Sequence, residues 1–169
     1  MTPFGHIGGG LVVGCLAEKL VLNGQISPGK VGIMVLLSIL PDLDSSLAVL
    51  FRKWRPGQEK LDHHNYFTHT PFFYLILSGL FWLIWGAEMG VLFLSITLTH
   101  LFLDSWATDD GIMWLWPFNR KKYSLFSSDL HEGGLYGVRY YRRYVTKLQV
   151  SLPEALLFVG GWLMIFLWR

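Results

Sequence analysis

His64-Asn65-Tyr66-Phe67-Thr68-His69-Thr70-Pro71 is the stretch whose reading decides the fold. Two histidines, five residues apart, stand where a polar connection meets the apolar run that begins at Phe72. Pro71 suits the first position of a helix and Thr70 the cap before it, so His69 is expected just outside a helix start. That helix is apolar throughout, through Ile84 and Trp85. The motif therefore belongs at the mouth of a membrane segment. Similar chemistry recurs at three places outward from it. His6 precedes the first apolar run, Asp42 and Asp44 interrupt the second, and His100 and Asp104 lie near the end of the fourth.

The chain has 169 residues, 52% apolar and 16% aromatic, with a mean hydropathy of +0.39. A bilayer core about 30 Å thick takes roughly 20 mainly apolar residues per helix. Windows near 7–22, 31–51, 72–87, 89–106 and 153–168 approach that length. The expected fold is an all-α membrane bundle of about five apolar helices in a single domain. Residues 1–125 would form the motif-bearing core, 126–150 an interfacial amphipathic segment and 151–169 the last membrane helix. The first window is Gly-rich and Pro41 breaks the second, so these two suit buried or re-entrant helices as well as full spans. A soluble helical core is the alternative, and the aromatic-rich runs at 72–86 and 156–168 argue against it.

A net charge of +2 gives no reason to expect nucleic-acid binding, but its distribution is informative. Arg52, Lys53, Arg55 and Lys60 separate the second and third runs, and Arg120, Lys121, Lys122, Arg139, Arg142, Arg143 and Lys147 separate the fourth and fifth. The connection around Glu88 has no basic residue. By the positive-inside rule both basic connections, and with them the N-terminus, are expected in the cytoplasm, with the C-terminus on the far side. Lys30, in the first connection, runs against this pattern. Cys15 is the only cysteine, so no internal disulfide is expected. Val12-Val13-Gly14-Cys15 loosely matches a lipoprotein cleavage box but lacks a basic segment before it, and Cys15 reads as a small packing residue. Gly8-Gly9-Gly10 and Gly14 would let neighbouring helices approach closely in lipid.

Leu40-Pro41-Asp42-Leu43-Asp44 places two carboxylates beside a proline within apolar sequence, where they need neutralising. A helix cap would use one carboxylate, whereas a metal would satisfy both. His100 and Asp104, four residues apart, share a helix face and suit one ion, or a ligand and the partner that orients it. A plain buried His–Asp hydrogen bond is the alternative. His63 is a further loop histidine beside His64. Trp114-Leu115-Trp116-Pro117-Phe118 suits the headgroup boundary, and the basic Arg120, Lys121 and Lys122 suit lipid or substrate phosphates. Residues 135–149 read as an amphipathic surface helix with Tyr141, Tyr144, Val145 and Leu148 on one side. Asp129, His131 and Glu132 read as loop residues whose spacing carries little metal signal.

With alternating spans, His6, Asp42, Asp44, His64, His69, His100 and Asp104 all fall at the cytoplasmic end of the bundle. Charge distribution and ligand placement thus agree. Imidazoles and carboxylates without thiolates suit zinc, manganese or iron, with zinc the usual choice for hydrolysis. Seven candidate ligands exceed one tetrahedral ion, so two or three ions sharing a carboxylate are expected. Such a cluster would activate water and stabilise a phosphoryl transition state.

The order His6, Leu40-Pro41-Asp42-Leu43-Asp44, His64-Asn65-Tyr66-Phe67-Thr68-His69-Thr70, His100-Leu101-Phe102-Leu103-Asp104 and Leu115-Trp116-Pro117-Phe118 resembles the YdjM-like family over roughly residues 1–125. The resemblance implies a bacterial or archaeal inner-membrane protein of a group described as metal-dependent hydrolases, one member of which is described as binding the LexA repressor. Many relatives carry arginine where Asn65 stands, which removes any phosphate contact that arginine would make. The His-x-x-x-Asp element is also similar, more distantly, to that of zinc-dependent phospholipase C and P1-type nucleases, which implies phosphoester hydrolysis at a trinuclear zinc site. The Lys-x6-Arg-Pro and Ser-Gly-His elements of the type 2 phosphatidic acid phosphatases are missing.

The expected function is metal-dependent hydrolysis of a phosphoester, of a lipid or lipid-linked molecule, at the cytoplasmic face. Asp42, Asp44 and Asp104 are the candidate catalytic carboxylates, one of them a general base. The alternatives are a divalent-cation or proton transporter, and a regulatory, partner-binding membrane protein with a structural metal. Ligands gathered at one face speak against transport.

Overall fold

The computed structural model describes residues 2–43, 64, 66–107, 111–126 and 138–168, the side chains of 107 and 138–141 excepted. Helix α1 (Pro3–Leu16) runs into a π-helical turn, Ala17–Val21, and α2 is Pro28–Ile39. A 3-10 turn at Phe67–His69 leads into α3 (Pro71–Trp85), and α4 (Ala87–Ala107) follows directly. A hairpin at 111–126, closed by mutual backbone hydrogen bonds of Ile112 and Tyr123, leads toward α5 (Val138–Thr146) and α6 (Leu148–Trp168). The described structure is helical, with that one isolated bridge.

Proline starts three of these helices at a position where the missing N–H has no intrahelical use. Ser27 caps α2 through the Lys30 amide. Thr70 occupies the cap position of α3 as expected, but its hydroxyl donates to the Phe67 carbonyl and so ties the His69 turn to the helix start. Gly86, at φ +91, makes the α3–α4 reversal in one residue, which a side chain would strain.

Among the described residues three helices are long and apolar enough to cross a membrane: Pro3–Val21, Ala87–Trp106 and Leu148–Trp168. Helix α3 is apolar but has 15 residues, about 22 Å at 1.5 Å each. Helix α2 has 12, about 18 Å, and passes into a 3-10 turn at Leu40–Asp42, so residues 28–43 are shorter than the expected second span. The remainder of that window, 44–51, lies outside the described residues. The outward faces are apolar: Leu83 is 82% and Phe166 81% exposed. A surface of that kind is satisfied by lipid and is a liability in water.

Helix α1 is the centre of the bundle, packed on α6, α4 and α2, while α3 packs on α4. Successive helical residues are about 100° apart, so Gly8, Gly9 and Gly10 face three different neighbours. A β-carbon on Gly8 would meet the α6 backbone at Phe158, one on Gly9 the Leu103 side chain of α4, and one on Gly10 the Ser38 hydroxyl of α2. One glycine triplet thus admits three helices at close range.

Several expected boundaries move. The amphipathic helix ends at Thr146, and Leu148 belongs to α6, which begins five residues before the expected 153. Pro153 is tolerated inside α6 because the carbonyl it cannot serve, that of Gln149, accepts the indole N–H of Trp106 at 3.2 Å. His6, expected ahead of the first helix, lies inside α1 and is buried, because the helix begins at Pro3.

Candidate metal centre

Four elements deliver side chains to one end of the bundle. His6 comes from the start of α1, Asp42 from the turn ending α2, His69 from the turn before α3, and His100 and Asp104 from adjacent turns of α4. His64, also buried, joins them. The hub is Asp104. Its Oδ1 lies 3.1 Å from His6 Nε2, and its Oδ2 lies 3.1 Å from both His69 Nε2 and His100 Nε2 and 3.8 Å from His64 Nε2. Asp42 Oδ1 is 3.4 Å from His100 Nε2. The His6 and His100 rings stack at 3.8 Å, an arrangement that disfavours positive charge on both.

The tautomer of His100 follows from its other nitrogen. Its Nδ1 is 2.7 Å from the Ser38 carbonyl oxygen, which can only accept, so Nδ1 carries the hydrogen. In the neutral ring Nε2 then presents a lone pair toward the oxygens of Asp42 and Asp104. Among the described residues Nε2 has no hydrogen-bond partner although both carboxylates are near. Lone pairs facing carboxylates are unfavourable until a cation stands between them. His6 Nδ1 is likewise buried without a hydrogen-bond partner.

Ligand atoms of Asp42, His69, His100 and Asp104 all lie within 4.8 Å of one another. Ligands on one zinc ion, each about 2.0–2.2 Å from the metal, stand roughly 3–4 Å apart, so a small contraction suffices. The donor set fits a divalent ion. The two Asp104 oxygens face different imidazoles, as a bridging carboxylate requires. Access is one-sided: the Asp42 side chain is 32% exposed, whereas those of His69, His100 and Asp104 are buried.

The structure therefore brings together His6, Asp42, His64, His69, His100 and Asp104. Asp44 lies outside the described residues, as do His63, Asn65, Asp129, His131 and Glu132. Arg120, Lys121 and Lys122 are on the return arm of the 111–126 hairpin, between its turn and Tyr123, with the Lys121 ammonium 5.6 Å from the Tyr123 ring centre.

Three supporting contacts escaped the sequence reading. The Ser38 carbonyl sits in the last turn of α2, where helical acceptors lack partners, and Pro41 just beyond has no N–H to offer. Pro41 was the available signal. Buried Glu154 of α6 accepts hydrogen bonds from the Thr2 amide and hydroxyl, pinning the start of α1 four residues before His6. At the far end, Lys30 Nζ lies 2.7 Å from both Glu18 and Glu88. Two carboxylates thus offset the charge that ran against the basic pattern. Burial opposes the Lys30 charge, but hydrogen bonds and attraction from Glu18 and Glu88 outweigh it and raise its pKa above the usual lysine value.

No curated protein and no solved structure matches the chain significantly. The YdjM inner membrane protein family matches it over residues 1–168, beyond the 1–125 of the motif resemblance and including α5 and α6. This all-α chain, with three helices fit to cross a membrane and a buried His/Asp cluster at one end of them, belongs to the YdjM inner membrane protein family.

Proposed function

We propose that the protein is a metal-dependent hydrolase of a phosphoester carried by a membrane lipid, acting at the cytoplasmic face. The observation that carries this reading is the convergence of four imidazole Nε2 atoms on the Asp104 carboxylate, with Asp42 on the accessible side. Asp42, His69, His100 and Asp104 would hold one divalent ion, zinc by donor chemistry and use, with manganese or iron also compatible. His6, on the other oxygen of Asp104, would serve a second ion, with His64 beside the oxygen that His69 and His100 share. Asp44, outside the described residues, is a further candidate ligand by sequence order alone. When bound, such an ion acidifies water and offsets charge on phosphoryl oxygens.

The chain's own residues supply the rest. The Ser38 carbonyl holds the His100 ring in one tautomer and orientation. Asp42, the most exposed of the four carboxylate and imidazole groups, would take a proton from the attacking water and return it to the leaving alcohol. Asp104 keeps the imidazoles in register, and their burial excludes bulk water. Arg120, Lys121 and Lys122 would draw an anionic headgroup toward this end. The cytoplasmic assignment rests on the basic connections at 52–60 and 120–147, which lead from and to the helix ends that carry the cluster.

Purified protein in detergent should hydrolyse a lipid or soluble phosphoester with added zinc or manganese, and lose that activity with chelator or in His69→Ala. A metal-loaded wild type that hydrolyses no phosphoester, yet passes divalent cations into liposomes, would overturn the proposal in favour of transport.

A further inference from the structure

Outside the metal cluster, an apolar trough of about 650 Å³ runs between α1, α4 and α6. Val13 forms part of one wall, Phe102 of the second and Leu156 of the third. Gly9 gives it depth at the centre of the bundle. Leu156 and Phe102, both exposed, form lips open to the surrounding lipid. A hydrocarbon chain lying here would touch three helices instead of one, so it would gain more dispersion contact than a chain on a convex face.

The trough lies beside the cluster. Gly9 follows His6 by three residues, and the lining residues Thr99 and Leu103 immediately precede His100 and Asp104. The trough and the cluster are therefore about 100° apart around the same turns of α4. Trp106 and Trp114 line it near the 111–126 hairpin. The Trp114 indole N–H donates to the Ser105 hydroxyl at 2.7 Å, and the Leu125 amide donates to the Ser105 carbonyl at 2.7 Å. Those bonds anchor the hairpin next to Asp104. Phe118, which is 92% exposed, ends the hairpin's turn, and Arg120, Lys121 and Lys122 follow within four residues on its return arm. A lipid-compatible side chain beside three cations suits the boundary of an anionic leaflet.

We propose that the trough seats one acyl chain of an anionic phospholipid from the adjoining leaflet, its phosphate held toward Arg120, Lys121 and Lys122 and its ester toward Asp42. That this lipid is the substrate rests on the proposed hydrolase reading; that it binds does not. The trough supplies chain recognition and the hairpin supplies charge recognition, so a zwitterionic lipid of the same chains binds more weakly.

The test is native mass spectrometry of the intact protein, released from micelles after incubation with dioleoyl phosphatidic acid or dioleoyl phosphatidylcholine, with chelator present so that no turnover consumes lipid. Wild type should retain one phosphatidic acid, about tenfold over phosphatidylcholine. Leu156→Trp on α6 and Val13→Phe on α1, which fill the trough from opposite walls, should each cut retention about tenfold, while Leu167→Trp, exposed and away from it, should not. Neutralising Arg120, Lys121 and Lys122 to Gln should bring phosphatidic acid down to the phosphatidylcholine level. Equal retention by wild type and both filled variants, equal retention of the two lipids, or no retained lipid would overturn the inference. Lipid retention without hydrolysis by the metal-loaded protein would count against the hydrolase reading alone. Metal-dependent cleavage of a soluble phosphoester without trough-dependent retention would count against the trough alone.

Discussion

Asp104→Asn is the most informative single change, because one carboxylate faces four imidazole nitrogens at 3.1, 3.1, 3.1 and 3.8 Å. Asparagine has nearly the same shape, but one of its two ends becomes an NH₂ group, which cannot ligate, and the negative charge is lost. The fold should survive, since that NH₂ can donate to a neutral imidazole Nε2. Metal binding should not. Loss of a partner outside the ligand shell already weakens metal sites by about 10–100-fold, so loss of a direct and shared ligand should exceed about 100-fold, near 2.7 kcal/mol. Elemental analysis of protein purified without chelator should find at least one equivalent of divalent metal in wild type and less than about a tenth of that in the variant. Competition with a chromophoric chelator would give the affinity ratio, and near-ultraviolet circular dichroism would verify the fold. Wild-type metal affinity in a folded Asp104→Asn protein, or a wild type that binds no stoichiometric metal, would refute the geometry as a metal centre.

Chelation of the wild type should lower its melting temperature by about 5–15 °C, since an ion present at 1,000 times its Kd stabilises the folded state by about 4 kcal/mol. Thermal unfolding in detergent, with and without zinc, measures this. Gly8→Ala should destabilise by about 1–3 kcal/mol, because its β-carbon would stand 2.4 Å from the Phe158 backbone nitrogen, which cannot swing aside. Gly160→Ala, with nothing within 4 Å, should be neutral or stabilise by about 0.5–1 kcal/mol, so the two melting temperatures should move apart. Lys30→Met should destabilise by about 1–3 kcal/mol by leaving the buried Glu18 carboxylate without its cation. Because the folded-state pKa of Lys30 is raised, its contribution is present below the usual lysine pKa and is lost as pH rises through the higher folded value. The stability gap between wild type and Lys30→Met should therefore hold from pH 7 to about 10 and close above that.

The sequence was most legible where local rules operate. Proline at the first helical position located the start of α3, and the break at Pro41 marked the end of α2. Pro3 and Pro28 hold the same position in α1 and α2, whose apolar runs were expected to begin only at 7 and 31. Among the described residues hydropathy found each apolar helix, but in the second window it does not register that Leu40–Asp42 tightens into a 3-10 turn. It also misplaced the start of α6. A proline in the second turn reads as a boundary until Trp106, distant in sequence, is seen to satisfy the Gln149 carbonyl. Of the candidate ligands, His6, Asp42, His64, His69, His100 and Asp104 could be grouped at one end by counting alternating helices, since alternation alone determines which helix ends are neighbours. Which of them share one ion could not be read that way, because it depends on helix rotation and depth. Lys30 was legible as a charge out of place, but Glu18 and Glu88, its partners, lie in separate helices.

By itself, then, the sequence determined the class of protein, its apolar helices and the bundle end at which its His and Asp residues gather. These follow from composition and from periodicities of a few residues. Only the tertiary structure decided that Asp104 is the hub, that the Ser38 carbonyl sets the His100 tautomer, and that Gly8, Gly9 and Gly10 each admit a different helix. Each of these is a contact between elements far apart in the chain. Their relative rotation is settled by close packing over the whole bundle, which no local pattern encodes.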